Sequence, residues 1–513
     1  MTNKIFCASL VGTQTKIIEI ESAFTRGLPS FSITGLATSS IQESKQRVQS
    51  ALATTDFTLP PLKITINLSP SDIAKSGSYF DLPIALVLCS SGLQLKEPWF
   101  AFGELGLDGS IKYTQSIYPL LFDLALLRPN AHIIVPKCAE EILSMIPNLN
   151  LHFASTLTQA FEILNLPHND ERTIQSHSNS QSIQNLGFAS LEVGGERYYY
   201  MQDFSLDFAQ VQGQELAKRA ALIAAVGLHN IIFEGSPGCG KSMIAQRMRY
   251  ILPPMSLSEM MHTLKLQSLS AQECEYSPLR PFRSPHQSAS KASILGSATQ
   301  FEPKPGEIAL AHNGILFFDE LPHFKRDILE SLREPLENNK LAISRVHSKL
   351  EYETAFLFIG AQNPCPCGNL LSPTKECRCQ DKEINAYKNR LSEPFLDRID
   401  LFVQMEENPE IKHTQGVCLD SKQMQAIVFE AFVFAKNRGQ HCFNGKLSER
   451  EIEEFCVLDS ESERVLEQAS VRFGLSRRAQ NKLKKVARSI ADLSQSTIIT
   501  KSHILEALSY RRM

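Results

Sequence analysis

Apolar and polar positions follow two different periods along the first third of the chain. Short apolar runs, Lys63–Leu68 and His132–Pro136, predict strands. Longer runs, Ile41–Leu52 and Leu82–Cys89, predict helices. Because the two kinds of element are mixed, residues 1–166 are expected to form an α/β domain.

The pattern changes twice after this domain. Residues 167–190 contain too few apolar residues to form a core and are predicted to be a linker. Strands and helices alternate over 191–408, and the pattern is helical over 409–513. The last region carries an apolar stripe at helical spacing, with basic residues predicted on the remaining surface: Leu483, Val486, Ile490 and Leu493 in the stripe, and Lys482, Lys484, Lys485 and Arg488 beside it.

The middle region contains a complete phosphate-binding loop, Gly235-Ser-Pro-Gly-Cys-Gly-Lys-Ser242. A predicted strand, His229–Glu234, precedes it and a predicted helix, Met243–Met248, follows it, which is the context that this loop requires. The glycines let backbone N–H groups point at polyphosphate oxygens. Lys241 is expected to reach the β and γ phosphates, and Ser242 to ligate Mg²⁺. The predicted nucleoside triphosphate site comprises Gly235, Ser236, Pro237, Gly238, Cys239, Gly240, Lys241 and Ser242.

A second nucleotide signal is the apolar run Gly314-Ile-Leu-Phe-Phe-Asp-Glu320. A buried parallel strand of this kind would deliver Asp319 to the Mg²⁺ shell and Glu320 to the attacking water. Such a strand is commonplace alone, but its position after a phosphate loop favours the catalytic interpretation. A third strand, Ala355–Asn363, ends in an amide that would orient the same water; the alternative is a turn-forming Asn before a proline.

Four of the twelve cysteines are clustered with the spacing C-x-C-x9-C-x-C. Four thiolates on a loop that begins Pro-Cys-Pro-Cys-Gly predict a tetrahedral, structural Zn²⁺ site. The alternative is a group of unligated loop thiols. The four cysteines are Cys365, Cys367, Cys377 and Cys379.

Overall composition is that of an ordinary globular protein, with 43% hydrophobic and 21% charged residues. The net charge of −3 excludes a polycationic surface, so any nucleic-acid contact must be a local patch. No apolar stretch approaches the roughly 20 residues that a bilayer span needs, and the N-terminus lacks a basic segment followed by an apolar one. A cytoplasmic protein without a membrane partner is expected.

Five segments together resemble the AAA+ ATPases of the magnesium-chelatase-like group, and most closely the ComM/YifB competence-protein type. They are Val211–Arg219, the phosphate loop, Pro305–Glu320, Asn363–Gly368 and Leu396–Asp400. The resemblance covers nearly the whole chain. It implies an α/β fold with three parts: an N-terminal S5-like and Lon-protease-like α/β domain, a central P-loop AAA+ α/β domain and a C-terminal helical lid.

The resemblance also implies roles for individual residues, with ATP and Mg²⁺ as the bound species. Asn363 resembles sensor 1, and Arg398 resembles an arginine finger that reaches the γ-phosphate in a neighbouring subunit. Arg478 aligns with the sensor 2 arginine, although Arg477 is adjacent. A finger that acts between subunits implies a homo-oligomeric ring, in this family a hexamer, and a poor ATPase as a monomer. The alternative role for Arg398 is a salt bridge to a neighbouring aspartate.

Two further segments resemble elements that face the ring pore in relatives. The stretch Arg280–Ile308 resembles a helix-2 insertion, and Ala342–Tyr352 resembles a pre-sensor-1 hairpin. Three basic residues of the hairpin alternate at period two, which would place them on one face and let them track DNA phosphates. The alternative is a solvated strand edge. The three are Arg345, His347 and Lys349.

The N-terminal domain resembles a Lon-type protease domain without its chemistry. Alignment puts Tyr79 where the serine nucleophile would be and Tyr118 where the lysine base would be. Proteolysis is therefore not expected, and a nucleic-acid or assembly role is favoured for this domain.

Three functions compete. The leading one is an ATP-driven ring motor on DNA, a helicase or branch-migration factor in natural transformation or recombination, acting on single-stranded or branched DNA. A magnesium-chelatase-type motor subunit that remodels a protein partner is the alternative, but chelatase motor subunits lack the N-terminal domain. A scaffold without hydrolysis is disfavoured by the intact Lys241, Asp319, Glu320 and Arg398.

Overall fold

The computed structural model describes residues 4–511 apart from 12–13, 56, 58, 91–96, 166–187, 271–275, 299–302, 346–347 and 407–418. Most of the predicted linker therefore lies outside the described residues. The strand Ala189–Val193 occupies its last two positions, so regular structure resumes slightly earlier than predicted. Within the described ranges, no helix combines the length and the apolar character that a bilayer span needs.

Seven strands form one mixed sheet in the N-terminal region. In spatial order they are Ser30–Thr34, Lys63–Ser69, Gln14–Thr25, Lys4–Val11, Trp99–Ala101, Ala131–Pro136 and Leu149–Ala154. Gln14–Thr25 is antiparallel to both neighbours, and the other pairs are parallel. A ribbon of Glu104–Leu105 and Ile111–Lys112 stands apart. The helices are Ser39–Ala53, Asp81–Cys89, Ile117–Leu127, Glu140–Leu143 and Leu157–Asn165. The strands and helices predicted in this region are confirmed.

The core of this region is formed by one fully buried helix and the sheet beneath it. Every residue of Asp81–Cys89 is buried, and Arg47 pairs with the buried Asp81 at 2.6 Å. Tyr79 and Tyr118 are 4% and 0% exposed. Their side chains therefore belong to the core.

Five parallel strands form the central sheet. In spatial order they are Phe282–Arg283, Ile315–Phe318, Leu357–Gln362, Ile231–Gly235 and Leu401–Met405. Ile315–Phe318 is buried at every position, as expected for a parallel strand covered on both faces. Because all five strands run the same way, their carboxyl ends share one edge of the sheet and their amino ends share the other. The flanking helices are Glu215–Gly227, Lys241–Ile251, Leu257–Leu269, Arg326–Ser331, Arg333–Asn338, Asp381–Lys388 and Glu393–Leu396.

Smaller elements extend from this sheet. Ala189–Val193, Glu196–Tyr200 and Met255–Ser256 form an antiparallel sheet. The segment predicted as an insertion contains helices Lys291–Leu295 and Glu307–Leu310 and a ribbon of Gly296–Ala298 with Pro303–Pro305. An antiparallel hairpin of Lys340–Arg345 and Ser348–Glu353 lies where the sequence predicts one.

The helix Leu257–Leu269 joins the N-terminal and central regions. Its Met261 and Leu264 are buried in the N-terminal core, against the helix Ile117–Leu127. Lys265 pairs with Asp123 of that helix at 2.5 Å. The N-terminal region therefore packs against the helix that follows Met255–Ser256.

The C-terminal region is helical, as predicted, and its helices begin at residues that cap them. The helices are Ser421–Asn437, Glu449–Phe455, Ser460–Phe473, Arg477–Leu493 and Lys501–Ser509. Asp420, Ser448, Asp459 and Ser476 each accept a bond from a backbone N–H of the first turn.

One prediction in this region is wrong. Arg488, expected on the surface, is completely buried beside the buried Asp492, and its guanidinium also binds the carbonyls of Ser496 and Thr497. The helix Arg477–Leu493 packs against several helices, so more than its apolar stripe is covered. Burial of this second face could not be predicted from the apolar stripe alone.

Candidate nucleotide site

The phosphate loop connects the strand Ile231–Gly235 to the helix Lys241–Ile251 at the carboxyl edge of the sheet. Gly238 and Gly240 have φ of 85° and 98°, a region that side chains rarely adopt. A Cβ at Gly235 would lie 2.6 Å from the Met405 carbonyl oxygen. Glycine is therefore required at these three positions, and the loop has the shape that phosphate binding needs.

Lys241 connects the phosphate loop to the neighbouring strand. Its side chain is 9% exposed, and its Nζ donates to the carbonyls of Gly235 (2.5 Å) and Ser236 (3.0 Å) and to Asn363 Oδ1 (3.1 Å). Burial lowers the pKa of Lys241, while the nearby Asp319 opposes that shift. The ammonium thus lies inside the loop, bound to the residue predicted as sensor 1.

Ser242 and Asp319 bring their oxygens together beside the loop. Ser242 Oγ donates to Asp319 Oδ2 at 2.8 Å, and the Glu320 N–H donates to Asp319 Oδ1 at 2.9 Å. Hydroxyl and carboxylate oxygens are the donors that Mg²⁺ prefers. These two residues therefore fit the predicted magnesium site.

Glu320 has an unusual backbone conformation. Its φ of 50° and ψ of 47° lie in the left-handed region, which a residue other than glycine adopts at some cost. The residue is exposed and directly follows Asp319 at the carboxyl edge. This turn separates the two carboxylates: Asp319 is bound to Ser242, whereas the Glu320 side chain faces outward.

The four clustered cysteines lie next to the phosphate loop. Their sulfurs are all within 4.8 Å of one another, and three of the distances are 3.4, 3.7 and 3.7 Å. A tetrahedral Zn²⁺ with bonds of about 2.3 Å separates its sulfurs by about 3.8 Å, so the arrangement fits zinc. Backbone amides of Asn369 and Arg378 lower the pKa of Cys367 to about 6. A Cβ at Gly368 would lie 2.5 Å from Pro237 Cδ, so this cluster packs directly on the loop.

Arg398 lies at the opposite edge of the sheet. It precedes the strand Leu401–Met405, which pairs in parallel with Ile231–Gly235. The five residues of a strand are separated by four steps of about 3.3 Å, so the two edges lie at least about 13 Å apart. Arg398 therefore lies far from the phosphate loop of its own chain.

The carboxylate partner of Arg398 is Glu337. Arg398 Nη2 lies 2.5 Å from Glu337 Oε2, and Arg478 Nη2 lies 3.0 Å from Glu337 Oε1. Asp400, one of the two aspartates near Arg398 in the sequence, instead accepts from the Asn230 N–H at 3.0 Å. The two arginines predicted as finger and sensor 2 therefore share one carboxylate. Arg477 is 77% exposed and lies away from this group, 4.0 Å from Glu453.

Asp400 anchors the loop that carries Arg398. Although burial alone would raise its pKa, the Lys482 ammonium at 3.6 Å and the buried His229 hold that pKa well below its usual range. Lys482 also donates to the Asp397 carbonyl. The ionised carboxylate thus joins this loop to the helix Arg477–Leu493.

The hairpin departs from the prediction made for its basic residues. His347 lies outside the described residues. Cross-strand pairing joins Arg345 to Ser348 and Lys349 to Ser344. Directly paired residues share a face and successive residues alternate, so Arg345 and Lys349 occupy positions on opposite faces. The prediction of one shared face is wrong, because the chain reverses between these residues instead of continuing as one strand.

A second group of potential metal ligands lies at the base of the hairpin. The Glu353 carboxylate is 3.6 Å from His312 Nε2 and 3.8 Å from His262 Nδ1. The Ala355 N–H donates to His312 Nδ1 at 3.1 Å, so in the neutral ring Nε2 carries the proton and has no lone pair for a metal. Burial lowers the pKa of His312 to about 3, so the ring is neutral. This group joins the hairpin to the helix Leu257–Leu269.

Comparison with known proteins identifies the family. The magnesium chelatase subunit ChlI model matches residues 207–413, a second ChlI model matches 20–139, and the ChlI C-terminal model matches 419–511. Competence protein ComM of Haemophilus influenzae is 35% identical over 517 residues, 99% of this chain and 97% of that protein. The chain belongs to the ComM/YifB type of magnesium-chelatase-like proteins.

Two further relatives extend the comparison. The uncharacterized protein YifB of Escherichia coli is 35% identical over 510 residues, 98% of this chain and 95% of that protein. The uncharacterized protein Rv2897c of Mycobacterium tuberculosis is 31% identical over 412 residues, 78% and 76% of the two chains. The predicted α/β fold with a parallel P-loop sheet and a helical C-terminal region is confirmed. The S5-like and Lon-like character of the N-terminal region stays a prediction.

Three residues at these sites were not predicted from the sequence. Gln214 donates to the carbonyls of Cys239 (3.3 Å) and Glu406 (2.6 Å), and its place in the segment Val211–Arg219 was the available signal. Tyr387 lies beside the Asn363 backbone and near Glu320, and burial raises its pKa to about 12. No pattern marked Tyr387 or the shared carboxylate of Glu337.

Proposed function

We propose that this ComM/YifB-type protein is an ATP-hydrolysing AAA+ ring motor that acts on DNA, as a helicase or branch-migration factor in natural transformation or recombination. One observation carries the proposal. The residues suited to bind and hydrolyse ATP lie at one edge of the sheet, and the two arginines suited to complete the site lie at the other. A complete site then needs two copies of the chain.

The chain's own residues divide the chemistry of hydrolysis among them. The amides of the phosphate loop and Lys241 bind the polyphosphate, and Ser242 with Asp319 would hold Mg²⁺. Bound Mg²⁺ neutralises charge on the phosphate oxygens. Glu320 takes the proton of the attacking water, and Asn363 orients that water at the γ-phosphate. Arg398 and Arg478 of the next subunit stabilise the developing charge.

In a closed ring, the phosphate loop of every subunit would face the arginine pair of a neighbour. Each subunit offers a phosphate loop on one face and an arginine pair on another, which is a heterologous interface. Such interfaces close into rings when the rotation between subunits is right. A hexamer is the proposed assembly, as the family resemblance implies.

Two observations support DNA as the proposed substrate: the basic residues of the hairpin and the name of one relative. The hairpin strands include Arg345 and Lys349, two basic residues of the kind that binds DNA phosphates. The relative ComM carries the name of a competence protein. A role in competence is therefore proposed for this chain.

The proposal is tested by strand displacement. A labelled four-way junction is incubated with the protein, Mg²⁺ and ATP, and the Glu320→Gln variant serves as the inactive control. ATP-dependent conversion of the junction to duplex products is expected. A protein that hydrolyses ATP but leaves junctions, forks and tailed duplexes unchanged would contradict the DNA motor.

A chelatase-type motor that remodels a protein partner is the second candidate. The descriptions of all three matching family models favour it, since each names magnesium chelatase. ATPase activity that responds to a protein client and to no DNA would select it.

The DNA track gives a prediction of its own. Arg345→Ala/Lys349→Ala is expected to weaken DNA binding across sequences and to reduce the slope of log affinity against log salt by about 1.4 to 1.8, because two phosphate contacts are lost. Basal ATPase should survive, since the hairpin is not part of the nucleotide site. Fluorescence anisotropy across a salt series measures this.

The matched control is Lys340→Ala in the same hairpin, where Glu351 holds the ammonium at 2.6 Å. That variant should keep the slope. If the double variant kept its DNA affinity, its salt slope and its DNA-stimulated ATPase, the hairpin would be a solvated strand edge that does not bind DNA.

The cysteine cluster is proposed to bind one structural Zn²⁺. Purified protein should contain about one zinc per chain, and Cys377→Ser/Cys379→Ser should lose the metal and unfold at lower temperature, because the binding energy of a structural site contributes to folding. Metal analysis and thermal unfolding measure the two effects. Cys138→Ser, an exposed cysteine elsewhere, is the control. If protein prepared without chelators contained no zinc, the cluster would be a group of ordinary thiols.

A further inference from the structure

Glu337 binds both arginines that the proposed site takes from the next subunit. It lies near the end of the helix Arg333–Asn338, and each of its carboxylate oxygens is bound by a different guanidinium. Arg398 comes from the loop before Leu401–Met405, and Arg478 comes from the first turn of another helix. Three separate segments therefore meet at one carboxylate.

Two hydrogen bonds fix the orientation of the Arg398 guanidinium. Its Nη2 donates to Glu337 and its Nη1 donates to the Pro394 carbonyl, and its side chain is 11% exposed. A planar guanidinium held at two nitrogens has little rotational freedom. Arg478 is 42% exposed, so its side chain is partly accessible to solvent.

The Glu337 carboxylate reduces the repulsion between the two arginine guanidiniums. Two guanidiniums within 3.0 Å of one carboxylate carry a net charge of about +1 together with it, whereas without it two like charges would repel at short range. Although burial by itself would raise the pKa of Glu337, Arg398 and Arg478 hold that pKa below its ordinary value. Glu337 is thus a carboxylate at neutral pH.

We infer that Glu337 is a positioning residue of the shared ATP site, which holds Arg398 and Arg478 together so that both meet the γ-phosphate bound in the next subunit. This inference rests on the proposed function, because it requires a site that two subunits complete. Glu337 touches the arginines and not the nucleotide, and it lies with Arg398 at the edge away from its own phosphate loop. Its loss should therefore impair the ATP site of the neighbour.

The first test is steady-state ATPase of full-length Glu337→Gln and Glu337→Ala. Both should lower kcat by about tenfold or more, because misplaced arginines lose transition-state contacts. The KM for ATP should stay within about threefold, since the phosphate loop that binds the nucleotide is untouched. Glu334→Ala, on the same helix, is the control and should keep wild-type kcat. Wild-type kcat in both Glu337 variants would overturn the inference.

The second test identifies which subunit's site is affected. Glu337→Ala should regain ATPase when mixed with Lys241→Ala, since an intact arginine pair then faces an intact phosphate loop. It should regain none when mixed with Arg398→Ala, because both variants are defective on the same face. The reverse pattern would show that Glu337 serves its own chain's site and would overturn the inference.

Two further measurements separate the role of Glu337 from effects on folding and from the shared site itself. If Glu337→Ala unfolds, the isosteric Glu337→Gln replaces it in the mixtures, with the same expected pattern. A mixture of Arg398→Ala and Lys241→Ala is measured alongside. No recovery in that mixture would contradict the shared site itself, whereas recovery there without recovery of the Glu337 variant would overturn only the role of Glu337.

Discussion

Glu320→Gln is expected to keep nucleotide binding and to lower ATP turnover by about 10²- to 10⁴-fold. The substitution removes the carboxylate that accepts the proton of the attacking water. It leaves the Ser242–Asp319 contact at 2.8 Å and the Lys241–Asn363 contact at 3.1 Å intact. Phosphate release at saturating ATP measures turnover, and equilibrium binding of a fluorescent ATP analogue measures affinity.

Lys241→Ala is the matched comparison, because it should lose binding and turnover together. Its ammonium is the charge that the phosphate loop holds among its own carbonyls. A Glu320→Gln protein with wild-type turnover would show that the exposed carboxylate does not act on water.

Arg398→Ala should lower turnover by about 10³-fold or more in the assembled protein. The physical reason is that the guanidinium stabilises charge on the transferring phosphoryl group in the neighbouring subunit. Subunits with Arg398→Ala and subunits with Lys241→Ala, each inactive alone, should regain activity when mixed. Phosphate release across a series of mixing ratios measures the recovery.

Arg477→Ala is the control for this surface, since Arg477 is exposed and apart from Glu337. It should keep most of the wild-type activity. Mixtures that co-assemble without any recovery would show that Arg398 acts within its own chain or only as a structural ion pair.

Much of the fold follows from local sequence. Runs such as Lys63–Leu68 and His132–Pro136 are strands because their apolar residues fill a sheet surface, and the structure confirms them. Arg488 could not be predicted in the same way. Its burial depends on Asp492 and on the carbonyls of Ser496 and Thr497, which helix packing assembles.

The candidate site also contains residues that local sequence predicts and residues that it does not. The phosphate loop, Asp319 and Asn363 were found because each follows a recognisable strand, and parallel strands bring their carboxyl ends together. Glu337 was not found, because it lies 61 residues before one of its arginines in the chain and a helical glutamate carries no pattern. The hairpin face was mispredicted because period two along the sequence assumes one continuous strand.

A DNA motor is tested by the ATPase rate of the full chain, measured alone and with single-stranded DNA, duplex DNA and a branched junction. The rate is expected to rise with DNA, Arg345→Ala/Lys349→Ala to weaken this rise, and Glu320→Gln to abolish the activity. An ATPase rate that none of the three DNA forms changes would contradict a motor that acts on DNA.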